Sequence, residues 1–297
     1  MIHCFYTDQF VLPLPTGHRF PMAKYQMLRE SVQMFAPYSL LEAPAATNDE
    51  LALAHDPAYI DRMIHGGLST QEIRAIGFPW SPYMAERARR SAGATVAALK
   101  SALTHSAAIN LAGGTHHAFR DHGEGFCCFN DAAVAARVIQ RDHGISRVLI
   151  CDLDVHQGNG TASIFAEDNS VFTFSIHGER NYPVRKERSD LDIELPDGCG
   201  DASYLDTLSE VLPSIIARFA PNAIIYLAGA DPFEGDRLGR LKLTKSGLRQ
   251  RDEFVLKTAR DLGIPIAVTM AGGYAHDLAD IVDIHFNTVR TVFEVFA

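Results

Sequence analysis

An aspartate and a histidine two positions apart, Asp154 and His156, open the case for a metal. In an extended segment such residues point the same way, so both can reach one ion. Asp231 arrives from a distant segment. Two carboxylates and one imidazole leave a fourth position for water, the arrangement of a catalytic rather than a structural zinc site. Asp-x-His is common by accident, so the case rests on what accompanies it. His116 and His117 stand in a Gly-Gly-Thr-His-His-Ala turn, where a neutral imidazole can act as general base at physiological pH. Tyr274 follows Ala-Gly-Gly, and a phenol there can donate a hydrogen bond to a developing oxyanion. Asp152 shares the parity of Asp154 and can orient a histidine from behind. Each has a plainer reading: solvated loop histidines, a packed aromatic, a strand-end carboxylate on backbone amides. The plainer reading is preferred for His122 and His143, which lack such a setting, and His177 is read as a structural hydrogen-bonding group. Gly158-Asn159-Gly160 lacks the Lys-Ser/Thr of a phosphate loop, so no nucleotide site is read there.

These side chains need a scaffold that brings them together. Apolar runs at 107–111, 147–152, 170–176, 223–228 and 265–270 read as buried parallel strands. Helical periodicity at 82–104, 130–142, 201–218, 244–262 and 275–294 fills the intervals, and Asn130 and Asp131 are placed to cap the second of these. Residues 1–80 read as mostly helical, with loops at 11–20 and 36–48. Strand-then-helix alternation predicts an α/β fold: one domain over 1–297, with an open, mostly parallel sheet and helices on both faces. In such sheets ligands bind beyond the carboxyl ends of the strands. The five predicted strands are followed by His116 and His117, by Asp154 and His156, by His177, by Asp231 and by Tyr274, so one sheet edge collects all the candidates.

Composition narrows the function classes. The chain has 297 residues, 47% of them hydrophobic, enough for a large core. It carries 36 acidic and 27 basic residues, a formal charge of −9, which disfavours nucleic acid and would suit a cationic substrate. No apolar run is long enough for a membrane span, and the first residues lack a secretory signal pattern, so a cytoplasmic location is expected. Cys4, Cys127, Cys128, Cys151 and Cys199 form no CxxC pair and read as free thiols. The turn-rich Gly125-Phe126-Cys127-Cys128 can wall a narrow slot, although loop packing explains it equally well.

In this order, GGTHHAFRDHGEGFCCFND (113–131), CDLDVHQGNGT (151–161), AGADPFEGDRLG (228–239) and AGGYAHD (271–277) resemble the histone deacetylase superfamily. GHRFPMAKYQMLRE (17–30) and LAHDPAYIDRM (53–63) resemble its N-terminal segments, and EGDRLG with Gln157-Gly158-Asn159-Gly160 is most similar to class IV members and their bacterial relatives. The resemblance implies an arginase/deacetylase-like fold and a zinc-dependent hydrolase of acylated lysine or of acylated amines such as acetylpolyamines. By position, Asp154, His156 and Asp231 would be the Zn2+ ligands, His117 the general base and acid, His116 its tandem partner backed by Asp152, and Tyr274 the group that polarises the carbonyl. Gly125, Phe126, Gly272 and Gly273 would bind substrate, Phe126 as a tunnel wall. A structural K+ or Na+ would use Asp152, Asp154, His156 and Ser175.

One position departs from the commoner family pattern. Asn159 stands where many members carry an aspartate behind the second histidine, and a neutral amide supports an imidazolium less than a carboxylate does. Class IV-like members share this Asn, and the class IV-like pattern at 228–239 implies a preference for acyl chains longer than acetyl. Two rival readings remain: a ureohydrolase-like enzyme with two metal ions, which would need a second set of bridging aspartates and would leave Tyr274 idle, and a catalytically silent binder of acyl-lysine or polyamine.

Overall fold

The structure is a computed structural model that describes residues 1–296. Its centre is one eight-stranded sheet, built from β1 (His3–Tyr6), β2 (Leu40–Glu42), β3 (Ala107–Asn110), β4 (Val148–Asp152), β5 (Val171–Gly178), β6 (Leu191–Leu195), β7 (Ala223–Leu227) and β8 (Ile266–Thr269). The spatial order is β2-β1-β3-β8-β7-β4-β5-β6, and every pairing is parallel. All strands therefore present their carboxyl ends at one edge.

The inner strands are buried end to end because both faces are covered. Alternation along β4 shows it: Val148 and Ile150 join one core, Leu149 and Cys151 the other. The first core packs α5 (Pro82–His105) and α6 (Asp131–His143) on the sheet, with the short α2 (Asn48–Leu51), α3 (Pro57–His65) and α4 (Thr70–Ile76) outside them. The second is closed by α1 (Ala23–Phe35), α8 (Asp201–Phe219), α9 (Lys245–Asp261) and α10 (Leu278–Phe296). A short α7 (Asn159–Ile164) follows β4.

The predicted strands and helices are present with ends moved by a few residues, and three strands escape the sequence reading. β1 and β2 lie in the stretch read as helix and loop. With four and three residues they are too short to show a period. β6 alternates apolar and acidic residues at the sheet edge, so it lacks the continuous apolar run that marks the inner strands. Asn130 caps α6 as expected, its side chain accepting from Ala133 N at 3.0 Å. Asp131 has other work: its carboxylate accepts from Gly114 N, Thr115 N and Thr115 Oγ1 at 2.7–3.0 Å and so clamps the turn that carries the two histidines.

Candidate active site

Three groups converge where β4 and β7 end. Asp154, His156 and Asp231 are buried, and one donor atom from each lies within 4.8 Å of the others. Their hydrogen bonds fix which atoms are free. Asp231 Oδ1 accepts from Val155 N at 2.9 Å, whereas no hydrogen bond reaches the buried Oδ2, 3.2 Å from His156 Nδ1. Asp154 Oδ2 accepts from Gly272 N at 2.8 Å, and Oδ1 lies 2.9 Å from His156 Nδ1. The glycine is required at 272, because a β-carbon would drive into the carboxylates of Asp231 and Asp154. A buried carboxylate oxygen without a partner beside a second carboxylate and an imidazole fits a divalent cation, which would satisfy all three at once.

The electrostatics agree with a cradle for positive charge. At His156, desolvation opposes protonation but is outweighed by Asp154 and Asp231, which push its pKa up to about 10. Burial, with the Asp154 charge, raises Asp231 to about 7. These shifts belong to the side chains alone, and an ion in their midst would displace the proton they attract.

The tandem histidines are pushed in opposite directions. His116 Nδ1 lies 2.7 Å from Asp152 Oδ2. Desolvation works against its protonation, but Asp152 and Asp154 prevail and push its pKa up to about 9. His117 Nδ1 lies 2.7 Å from the neutral Asn159 Oδ1. Desolvation, then the nearby His116 and His156, hold its pKa well below the usual histidine range, so it is neutral. Behind it is a residue the sequence reading missed: Asn159 Nδ2 donates to Glu124 Oε1 at 2.6 Å.

Tyr274 comes from the loop after β8. Its backbone N donates to Asp236 Oδ2 at 2.6 Å and its carbonyl accepts from Arg237 Nε at 2.8 Å, so EGDRLG is the segment that seats the phenol. Asp236 also accepts from Leu238 N and Gly239 N. Lys24 Nζ, buried on α1, donates to Ala271 O at 3.3 Å from the other side. Burial, then the Asp231 and Asp154 charges, raise the Tyr274 pKa well above 10, so the phenol keeps its proton. Among the described residues its hydroxyl meets no hydrogen-bond partner.

The inner space holding these groups measures about 50 Å3, and Gly125, Phe126 and Gly272 also line it. A side chain at Gly125 would strike the His117 ring, at 2.7 Å from Cδ2. Gly273 is turned away: a side chain there would meet Ile281 and Ala230. Ser175 pairs in register with Asp152 and hydrogen-bonds His177 Nδ1 at 2.9 Å, the structural partnership expected for His177. The exposed face opens into a cleft of about 390 Å3 that reaches His117, His156 and Tyr274. The five cysteines are all buried and free. No helix among the described residues is long and apolar enough to cross a membrane.

Comparison with known proteins gives one answer. A family model described as "Histone deacetylase domain" matches residues 18–289. The chain is 41% identical over 294 residues to an uncharacterized protein of Picosynechococcus, covering 98% of each. It is 30% identical over 285 residues to the "Histone deacetylase-like amidohydrolase" of Pseudomonas aeruginosa, covering 89% of this chain and 74% of that one. The solved HDA15 HD domain shares the fold, with a TM-score of 0.80 at 24% identity over 99% of this chain and 90% of that one.

Proposed function

The chain belongs to the histone deacetylase family, and from that premise we propose that it is a zinc-dependent hydrolase removing acetyl or longer acyl groups from lysine side chains or related amines. One observation carries the reading. The orphaned Asp231 Oδ2, with Asp154 and His156, shares a single small space with a neutral His117 and a protonated Tyr274. A silent binder needs no such set. A two-metal ureohydrolase-like site needs a second group of ligands, and among the described residues only one such group occurs.

Zinc held by Asp154, His156 and Asp231 would supply a Lewis acid that polarises the amide carbonyl and lowers the pKa of a water. The remaining work falls to this chain's own side chains. His117 offers Nε2 as base, because Nδ1 is committed to Asn159, and it takes the proton of the attacking water. Tyr274 donates its hydroxyl hydrogen to the oxygen that becomes negative as the tetrahedral carbon forms. His117 then returns its proton to the leaving nitrogen. His116, whose pKa Asp152 pushes up, favours its charged form and steadies negative charge rather than serving as base. The products are a carboxylate and a free amine. A K+ or Na+ beside the zinc is proposed on Asp152, Asp154, His156 and Ser175, two of which, Asp152 and Ser175, are partners across β4 and β5.

The acyl end meets the inner space of about 50 Å3, sized for a short group. An adjoining chamber of about 40 Å3, which shares Phe20, Tyr25 and Phe126 as walls, adds room for a few carbons beyond acetyl. The test is kcat/KM over acetyl-, butyryl-, octanoyl- and myristoyl-lysine on one peptide, with acetylpolyamines beside them, for zinc-loaded and chelator-stripped protein. Equal rates with and without metal, or no turnover of any acylated amine, would overturn the reading.

A further inference from the structure

The net charge of the chain is −9, yet the mouth of its catalytic cleft is positive. Four arginines line it: Arg19 from the loop before α1, Arg74 from α4, Arg180 after β5 and Arg240 after the EGDRLG segment. All four are exposed, and the lining of this cleft contains no aspartate or glutamate. Among the described residues one carboxylate pairs with them: Asp197 lies 3.1 Å from Arg240 and 3.8 Å from Arg180. Arg74 makes no ion pair or side-chain hydrogen bond among the described residues, and Arg19 rests on the Phe126 ring at 6.0 Å. A chain with 36 acidic and 27 basic residues has thus gathered a surplus of about three positive charges at an opening that reaches His117, His156 and Tyr274.

A cleft lined by one sign of charge focuses the field and raises the local concentration of oppositely charged partners. Guanidinium groups also pair with carboxylates in a planar, bidentate fit that ammonium groups lack. We propose that the arginine-lined mouth selects acylated lysines carried on acidic polypeptide segments, with aspartate or glutamate close to the acylated side chain. Lysine-rich tails and polyamines are disfavoured, because their cations would face Arg19, Arg74 and Arg180 across the same narrow opening. This inference rests on the deacylase reading and narrows it to a class of carrier.

The test uses the zinc-loaded protein and four carriers of one acetyl-lysine: a peptide with flanking glutamates, its neutral counterpart, its lysine-flanked counterpart, and N-acetylspermidine. Dissociation constants are measured alongside kcat/KM. The glutamate peptide should exceed the lysine peptide by roughly tenfold or more at low salt, with the gap shrinking as ionic strength rises, since steering by exposed charges is screened. Arg74→Glu and Arg240→Glu should each narrow or reverse that ranking. Arg74→Gln, which removes charge without adding any, should narrow it less. A ranking that favours lysine peptides or N-acetylspermidine, or that ignores flanking charge, overturns the proposal, and so does an acidic preference that persists in both reversals. If the acidic peptide binds preferentially and no carrier is cleaved, the mouth stands and the deacylase reading falls.

Discussion

Asn159 joins His117 to Glu124: its Oδ1 lies 2.7 Å from His117 Nδ1, and its Nδ2 donates to Glu124 Oε1 at 2.6 Å. The carboxylate can only accept, so it turns the amide one way round, and the amide oxygen must then face the ring. That forces the Nδ1–H tautomer and leaves Nε2 bare towards the cleft. A neutral amide in place of an aspartate therefore still delivers an oriented base.

It follows that Glu124→Ala should free the amide to flip and lower kcat by roughly tenfold, within the range expected when a residue supporting a site residue is lost. Glu124→Gln, whose own amide oxygen can still accept from Asn159, should retain most of the activity. Equal kcat for Glu124→Ala and wild type would show that the amide is held in some other way.

The two histidines should separate by mutation. Asp152 pushes the His116 pKa up and so favours its charged form, whereas burial pushes His117 down and keeps it available as a base. His117→Ala should lose roughly 10²–10⁴-fold in kcat, the usual contribution of a general base, and His116→Ala should lose less. Steady-state kinetics on one acylated peptide decides, and a greater loss at His116 reverses the assignment.

Much of this site is legible in the sequence because five strand ends each deliver a polar residue to one sheet edge, and the order of those residues is local information. The supporting carboxylates are not legible in the same way. Glu124 reaches Asn159 across 35 residues and Asp236 reaches the backbone of Tyr274 across 38, and neither pairing leaves a periodic trace. The positive mouth is hidden for a related reason: Arg19, Arg74, Arg180 and Arg240 are scattered singly along a chain whose total charge points the other way. The short β1 and β2 and the edge strand β6 fail for want of length or of a continuous apolar run.

Metal content is the most direct check on the three ligands. Asp154→Ala, His156→Ala and Asp231→Ala should each lower bound zinc, measured by elemental analysis of the purified protein, and each should abolish turnover. Asp231→Ala removes the unsatisfied Oδ2 and with it the Oδ1 that accepts from Val155 N, so circular dichroism checks that the variant is folded before its metal is measured. Full zinc occupancy with normal turnover in any of the three would falsify the set.

Tyr274→Phe keeps the ring between Phe126 and His156 and removes only the hydroxyl. Its hydrogen bond strengthens as the oxyanion forms, so kcat should fall roughly 10²–10³-fold with KM little changed. A kcat equal to wild type would leave Tyr274 as a packing residue.

The last expectation concerns acid stability and lies away from the ligands. His55 is fully buried; its Nδ1 lies 2.9 Å from Phe119 O and its Nε2 accepts from Asn130 N at 2.9 Å. One nitrogen donates and the other accepts, so only the neutral ring satisfies both partners. Desolvation is the main cause that lowers its pKa to about 4. The sign follows from linkage: between pH 6.5 and 4 the unfolded chain binds this proton and the folded chain does not, so folding weakens as pH falls through that window. Above the upper limit the contribution is complete and flat. Urea unfolding should show a loss approaching about 1.4 kcal/mol per pH unit from this one group within the window. His55→Asn should reduce the slope by that single group while lowering stability at neutral pH by about 1–3 kcal/mol, since Asn130 N and Phe119 O lose partners they are placed to meet. A slope unchanged by the substitution would assign the acid sensitivity to other buried histidines.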